Sequence, residues 1–480
     1  MTVPTQGDVL VSGPGGIAPV RLRKGTEGQV LTVAGNTLTF SAPTPQLNVR
    51  SYGATGDGTT DDRTAFQTAL NDLNTAGGGT LSVPRGTYVL SAPLSVYPNT
   101  VIMGSGWGSV LKNKGAHNGY TLVFVPLTGA NTFLGCHGVR ITNLKIDANC
   151  FSQTGGGCID GYGAINCTID HCHLTNPYER CIQFRELSDG TSFGHHNHVV
   201  YCKIDQGKNS ASNGQGILIT KNDENTVAFN NIEFMGGGGA EPYSIKDESG
   251  LNCIMGNSIV DGKQGIYLSF VTRTRILGNV FDHCTGTGNI HINGSHRNVI
   301  SDNYFFEIGW GATTNTVSGI YLTGNSSQNK GTSNMFHSVA AASQAAHGTT
   351  RSFIRENSVS NTASDNHFTN SNFYQAGTLG TGIVEKAGSG TGNVYTGYGL
   401  VTRNKIAVTV PSGSTTAVFS HGLDSTPAAA DFKITATNNP TVAPGSPWIS
   451  TITSTQATLN VPTNPSTSGA TFTVNVDVYA

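Results

Sequence analysis

The sequence predicts an all-β protein built around a parallel β-solenoid, and three observations carry that prediction. First, a short apolar strand recurs behind a small polar residue: Thr142-x-Leu144, Cys172-x-Leu174, Cys202-x-Ile204, Asn230-x-Ile232, Asn257-x-Ile259, Asn279-x-Phe281, Asn303-x-Phe305, Asn334-x-Phe336 and Asn366-x-Phe368. The marks lie 22 to 32 residues apart, one structural unit per period. Second, most periods hold another strand after a Gly-rich approach: RCIQF from 180, QGILI from 215, YSIKD from 243, QGIYL from 264, GNIHI from 288 and SGIYL from 318. Third, 480 residues exceed what one compact core serves, whereas a solenoid grows in one dimension. Constant strands joined by variable loops favour this fold over a β-sandwich of many short strands, because insertions in stacked repeats fall on one face. With strands about 4.8 Å apart, like positions form ladders, and inward asparagines can bond along their own column.

Composition narrows the function. Gly is abundant (62 residues) and charged residues are scarce at 12 %, a β-rich texture without the charge density of a disordered chain. A formal net charge of −2 supplies no basic stripe for nucleic acid. No run of 18 apolar residues suggests membrane insertion, and no signal-peptide pattern opens the chain. The nine cysteines, from Cys136 to Cys284, lack regular CxxC pairing, so they read as buried structural thiols. Cys172 and Cys202 take the ladder position that Asn holds later, and a chain with such thiols folds first inside a cell.

Residues 1–45 alternate short strands with Gly turns and have almost no core of their own. The run from Gly25 to Val33, GTEGQVLTV, resembles a segment of bacteriophage tail-fibre proteins. The resemblance implies a trimerising segment that attaches a spike to the phage tail or baseplate.

Residues 46–400 form the predicted solenoid domain, with a cap region over 46–110. Thr59 or Thr60 can N-cap a helix carrying Asp61 and Asp62 in its first turn. Phe66, Ala69, Leu70 and Leu73 fall on one face, and Gly77, Gly78 and Gly79 stop the helix. Such a helix would cover the solenoid's open end, and Asp57, Asp61 and Asp62 read as structural caps. Tyr52-Gly53-Ala54, Asp57-Gly58-x-x-Asp61-Asp62, Gly77-Gly78-Gly79 and Pro84-x-Gly86-x-Tyr88 resemble the pectate-lyase-type superfamily that begins many phage tailspikes. That resemblance implies a right-handed parallel β-helix.

After the Gly-rich stretch 387–399, residues 401–480 alternate in Thr/Val/Ala strands, which predicts a small antiparallel β-sandwich. His421-Gly422-Leu423 with Thr426-Pro427 resembles a C-terminal module of phage fibres, which implies trimerisation or carbohydrate binding; His421 itself reads as a turn residue.

The chain lacks a Ser-His-Asp spacing, a phosphate loop and a His-Glu-x-x-His signature, so carboxylates along one solenoid face become the candidates. Polysaccharide is the natural ligand of a long groove. Tyr178-Glu179-Arg180-Cys181-Ile182 resembles the Gly-Asp-Asp-Cys-Ile run of β-helical polygalacturonases, with Arg180 in place of the second acid and Gly214-Gln215-Gly216 in place of their Gly-His-Gly. Glu241 and Asp261 stand before later second strands, so Glu179, Glu241 and Asp261 are the candidate catalytic acids, with Asp247 in reserve. Acids on neighbouring turns would lie about 5 Å apart, and acids two turns apart about 9 to 10 Å, which leans to an inverting hydrolase. Arg180, Lys246 and Lys263 could bind glycan oxygens, and Tyr178, Tyr243, Tyr267 and Tyr321 could stack on sugars. Asp223-Glu224 and Asp247-Glu248 read otherwise as turn formers.

A lyase would instead need a base beside a group that neutralises a uronate carboxylate. Lys246, Tyr267, His291, Arg273 or Arg275 could supply it. A spike that only grips glycan is the non-enzymatic alternative. His195, His196 and His198 fit in one exposed loop, and neither a metal nor a cofactor is expected. The sequence thus leads to a homotrimeric phage tailspike, made in the host cytoplasm and carried on the virion. It would bind and cut a bacterial surface polysaccharide, capsule or O-antigen, at the cell surface.

Overall fold

The computed structural model describes residues 9–11, 20–22, 30–34, 37–41, 45–127, 135–187, 194–205, 214–233, 235, 243–310, 317–338, 350–356, 366–374, 384–386, 394–398, 403–410, 414–420, 432–436, 448–453, 456–460 and 472–479. Its central feature is a parallel β-helix with three main strands per coil. In one coil, Thr226–Ala228 turns through left-handed Phe229 (φ 57°) into Asn231–Glu233, and Tyr243–Glu248 closes the coil. The first two strand families form one 24-stranded sheet, and the third forms an 11-stranded parallel sheet from Leu94–Val96 to Val384–Lys386. These long parallel sheets fit the right-handed β-helix implied by the sequence.

All six second strands lie in the 11-stranded sheet and start at the expected residues. Ile182, Ile217, Ile245, Ile266, Ile290 and Ile320 are in register and have no exposed surface. Phe281, Phe305, Phe336 and Phe373 stack along the interior with centroids 4.9, 4.6 and 5.3 Å apart. Each coil therefore places its largest apolar side chains on those of the next, so the core is continuous.

The interior carries two asparagine columns where the repeat showed one. In the column Asn230, Asn257, Asn279, Asn303 and Asn334, the backbone N–H and side-chain Nδ2 of each of the first four both donate to the next Asn Oδ1, at 2.9 to 3.1 Å. The second column runs through Asn197, Asn225, Asn252, Thr274, Asn298, Asn329 and Asn366. Asn366 belongs there and not with Asn334, which faces the strand holding Phe373. The first mark also shifts by two residues, since Ile146, not Leu144, pairs with Leu174.

The helix spans Arg63–Thr75, later than expected, because Asp57–Asp61 is drawn into a strand paired with Gly86–Leu90. Asp62 stands at the N-cap without a capping side-chain bond; its carboxylate accepts Thr55 N at 2.7 Å and Gly56 N at 3.1 Å and shapes the preceding turn. Phe66, Ala69, Leu70 and Leu73 are fully buried in the core, and Gly78 N closes the helix on Leu73 O. Beyond the β-helix, Arg403–Val410, Phe472–Tyr479 and Phe432–Ala436 form one antiparallel sheet, and Thr416–Ser420, Gln456–Asn460 and Trp448–Ser450 another. His421, Gly422, Leu423, Thr426 and Pro427 lie outside the described residues, as do Gly25 to Gln29 of the N-terminal run.

Candidate active face

Of the residues singled out above, the outward side of the 11-stranded sheet carries Lys246, Tyr267, His291 and Tyr321, whereas Tyr243 shares the inward alternation of Ile245, is buried and offers no ring face to a sugar. Alternation along a strand sends every second side chain outward. Register then stacks Asp160, Gln183, Leu218, Lys246, Tyr267, His291, Tyr321 and Arg355 into one column, one residue per coil. Two residues further along each strand, Tyr162, Arg185, Thr220, Glu248, Ser269, Asn293 and Thr323 form a parallel column.

The centre of this face is cationic and aromatic. Lys246 Nζ lies 5.5 Å from the Tyr243 ring centroid and 5.3 Å from that of Tyr267, and it pairs with Glu248 Oε1 at 2.8 Å. Tyr267 stacks on His291 at 4.7 Å and 17°, His291 meets Tyr321 at 4.7 Å, and the Arg355 guanidinium covers Tyr321 at 4.6 Å. Asn293 Nδ2 donates to the Tyr267 hydroxyl at 3.1 Å, and His291 Nε2 lies 2.7 Å from Thr323 Oγ1. These bonds fix the ring orientations.

Arg180 borders the same face. Its Nε donates to Tyr243 Oη at 3.4 Å and its Nη1 to Gln183 Oε1 at 3.3 Å. Burial disfavours its charge, but Tyr243 and Tyr120 more than offset that and hold the guanidinium above its usual range. Burial raises the phenols of Tyr120 and Tyr243. Glu179 accepts from Tyr120 Oη at 3.4 Å and lies 3.7 Å from Arg180 Nη1. Tyr178 stands beside it, half-buried.

The structure separates the acids grouped by sequence. Asp261 follows the strand Ser258–Val260 in a left-handed conformation (φ 52°), and its N–H bonds Asp282 O. It faces His283 Nδ1 at 3.6 Å, beside Asp282 at 3.4 Å, with Glu307 3.2 Å from His283 Nε2. Lys263, exposed, occupies the position before the strand that Glu179 holds three coils earlier. Counting back from the next Ile fails because the loops differ in length. Asp247 is in the strand Tyr243–Glu248, not a turn, and points inward in the column of Ile219 and Leu268 with no exposed surface. Burial raises its pKa even though Thr274, Ser249, Gly250 and Asn252 all donate to it. Asp223 likewise lies in a strand, Asn222–Asp223. Arg273 and Arg275 belong to the corner and strand of the other sheet. Glu241 lies outside the described residues.

The contributors Arg185, Asp160, Tyr162 and Thr220 escaped the sequence reading. Arg185 grips Asp160 through two bonds of 2.9 and 2.7 Å and lies 4.1 Å over the Tyr162 ring. Thr220 Oγ1 donates to Glu248 at 2.9 Å. Aligning each repeat on its inward Ile, then reading the residues one and three places on, would have found all of them.

Comparison with known proteins extends these observations. Residues 46–288 match the family described as rhamnogalacturonase A/epimerase, pectate lyase-like. Alginate lyase 7 of Azotobacter vinelandii is 34 % identical over 126 residues, covering 24 % of this chain and 14 % of that protein. The pre-neck appendage protein of Bacillus phage phi29 is 31 % identical over 142 residues, covering 28 % of this chain and 15 % of that protein. The chain thus spans about one seventh of the length of these curated relatives. Among solved structures, the Dettilon tailspike protein superposes with a TM-score of 0.57 at 14 % identity, covering 90 % of this chain and 94 % of that one, a likeness of fold.

Proposed function

The chain belongs to the rhamnogalacturonase A/epimerase, pectate lyase-like family, and from that premise we propose that it is a phage tailspike that cleaves an acidic, uronate-bearing surface polysaccharide by β-elimination. The observation that carries this reading is the Lys246–Tyr267–His291 row, a cation and two proton-transfer groups on consecutive coils. The alginate lyase and phage appendage relatives support the substrate class and the virion setting.

Lys246 and Arg180 would meet the uronate carboxylate, which makes the C5 proton removable. His291, oriented by Thr323, takes that proton; the electron pair forms the C4=C5 bond; O4 leaves with the proton of the Tyr267 hydroxyl. Among the described residues of the central face, the carboxylates Asp160 and Glu248 are each held by a cation, Arg185 and Lys246, which favours elimination over hydrolysis.

Carboxylate-catalysed hydrolysis is the second reading, and one observation favours it. Asp282 lies within reach of His283 beside Asp261, and burial, together with Asp261 and Glu307, raises its carboxyl as a general acid requires, against the opposing pull of His283. Glu179 and Glu241 remain its other candidates. In either case we read the Arg63–Thr75 helix as the end cap, the two C-terminal sheets as a sandwich, and residues 1–45 as the attachment segment of a homotrimer.

Digestion of acidic capsular and O-antigen polysaccharides from a panel of host strains tests this. Elimination predicts new ultraviolet absorbance from a 4,5-unsaturated uronate. New reducing ends without that absorbance would overturn elimination in favour of hydrolysis. Binding without any cleavage would leave a receptor-binding spike and reject both.

A further inference from the structure

Away from the active face, two histidines and a glutamate from successive coils converge. His195 ends the short strand Gly194–His195, and His196 follows in a left-handed conformation (φ 57°). In a regular strand adjacent side chains point to opposite faces. The left-handed corner instead brings the two imidazoles together, Nδ1 to Nδ1 at 2.6 Å with centroids 4.8 Å apart. One coil on, Asp223 is in register with His195, so Glu224 stands at the same corner as His196, also left-handed (φ 54°). Glu224 Oε2 lies 3.1 Å from His196 Nε2. His198 takes no part, because it begins the next strand, His198–Val200.

We propose that His195, His196 and Glu224 bind a divalent transition-metal ion of the zinc, cobalt or nickel class. One ligand atom from each residue lies within 4.8 Å of the others. Ligand bonds of about 2.0 to 2.2 Å in a tetrahedral site need donors about 3.3 Å apart, which small rotations of three partly exposed side chains supply. Two imidazoles and one carboxylate select borderline metals over calcium or magnesium, which prefer oxygen. Three protein ligands leave the fourth position to water. The ion would join two successive coils at their corner and stabilise the helix there by mass action. This role is independent of the glycan chemistry.

The test uses the tag-free full chain, stripped with chelator and titrated calorimetrically with zinc and, for its visible spectrum, with cobalt. The expected result is one ion per chain, tighter for zinc than for calcium, with a metal-dependent rise in unfolding temperature. His196→Asn keeps a residue suited to the left-handed corner, and Glu224→Gln keeps the side-chain shape. Each should weaken zinc at least tenfold and remove the thermal shift, whereas His198→Gln should change neither. Unfolding temperatures of the metal-free proteins verify that the variants are folded. Absence of zinc binding, tighter binding of calcium, or undiminished zinc binding in both folded variants would overturn the proposal.

Discussion

Asp247 Oδ1 accepts the side-chain amide of Asn252 at 2.9 Å, and Asp247 Oδ2 takes the Thr274 hydroxyl at 2.5 Å. Thr274 stands where the second asparagine column would continue, and it cannot supply the amide oxygen that Asn252 needs. The buried carboxylate splices the column at that break. An acid suggested by sequence as a reserve catalyst is thereby part of the scaffold.

Replacing Asp247 tests this splice. Burial raises its folded pKa, so between the unfolded carboxyl value of about 3.9 and the folded value the native state holds more protons than the unfolded state. Its contribution to stability therefore falls as pH rises through that window and stays low above it. Asp247→Asn should remove this component of the pH dependence and change stability at neutral pH by no more than about 1 kcal/mol. Asp247→Leu strands the Asn252 amide, the Thr274 hydroxyl and the Ser249 and Gly250 amides, and should cost about 3 kcal/mol or more. Denaturant unfolding from acid to neutral pH measures both.

The first asparagine column should respond to a single cut. In Asn279→Leu, the N–H and Nδ2 of Asn257 lose their acceptor, and Asn303 Oδ1 loses one donor. Buried and unsatisfied, these groups should cost about 3 kcal/mol. An unfolding midpoint equal to that of the parent would show that the column contributes little.

On the candidate active face, the proposed elimination predicts that His291→Ala and Tyr267→Phe each slow release of unsaturated product by about 10²- to 10⁴-fold while glycan binding persists. Lys246→Met should weaken binding as well. Glu179→Gln and Asp261→Asn should leave turnover within a few-fold if elimination is the reaction. The reverse pattern, loss in the acid variants alone, would identify hydrolysis. Turnover and glycan affinity measured on the same preparations separate the two.

The thiols should be inert in the folded protein. All nine cysteines are free, and eight are buried, with Cys253 only half-buried. Burial pushes the Cys284 thiol up to about 12 and the Cys167 thiol up to about 11, so neither forms thiolate at mild pH. A disulfide reagent at pH 8 should titrate at most one thiol per native chain and all nine in denaturant.

Much of the scaffold was legible because its physics is local and repetitive. The Ile of each second strand marked the inward column, and the strands begin where the Gly-rich approaches said they would. The helix face Phe66, Ala69, Leu70 and Leu73 followed from spacing alone. Its start did not, since Asp57–Asp61 had a strand partner, Gly86–Leu90, that no local rule reveals.

By itself the sequence determined the stacked architecture, because a residue type repeated once per coil finds its own kind one strand spacing away. Tertiary structure alone decided which polar residues meet. Asp261 stands with His283, Asp247 turns inward to mend a broken column, and Lys246 rests between two tyrosines from different parts of its coil stack. The reason is register: loops of unequal length carry equal strands, so neighbours across coils are fixed by hydrogen-bonded pairing and not by distance along the chain.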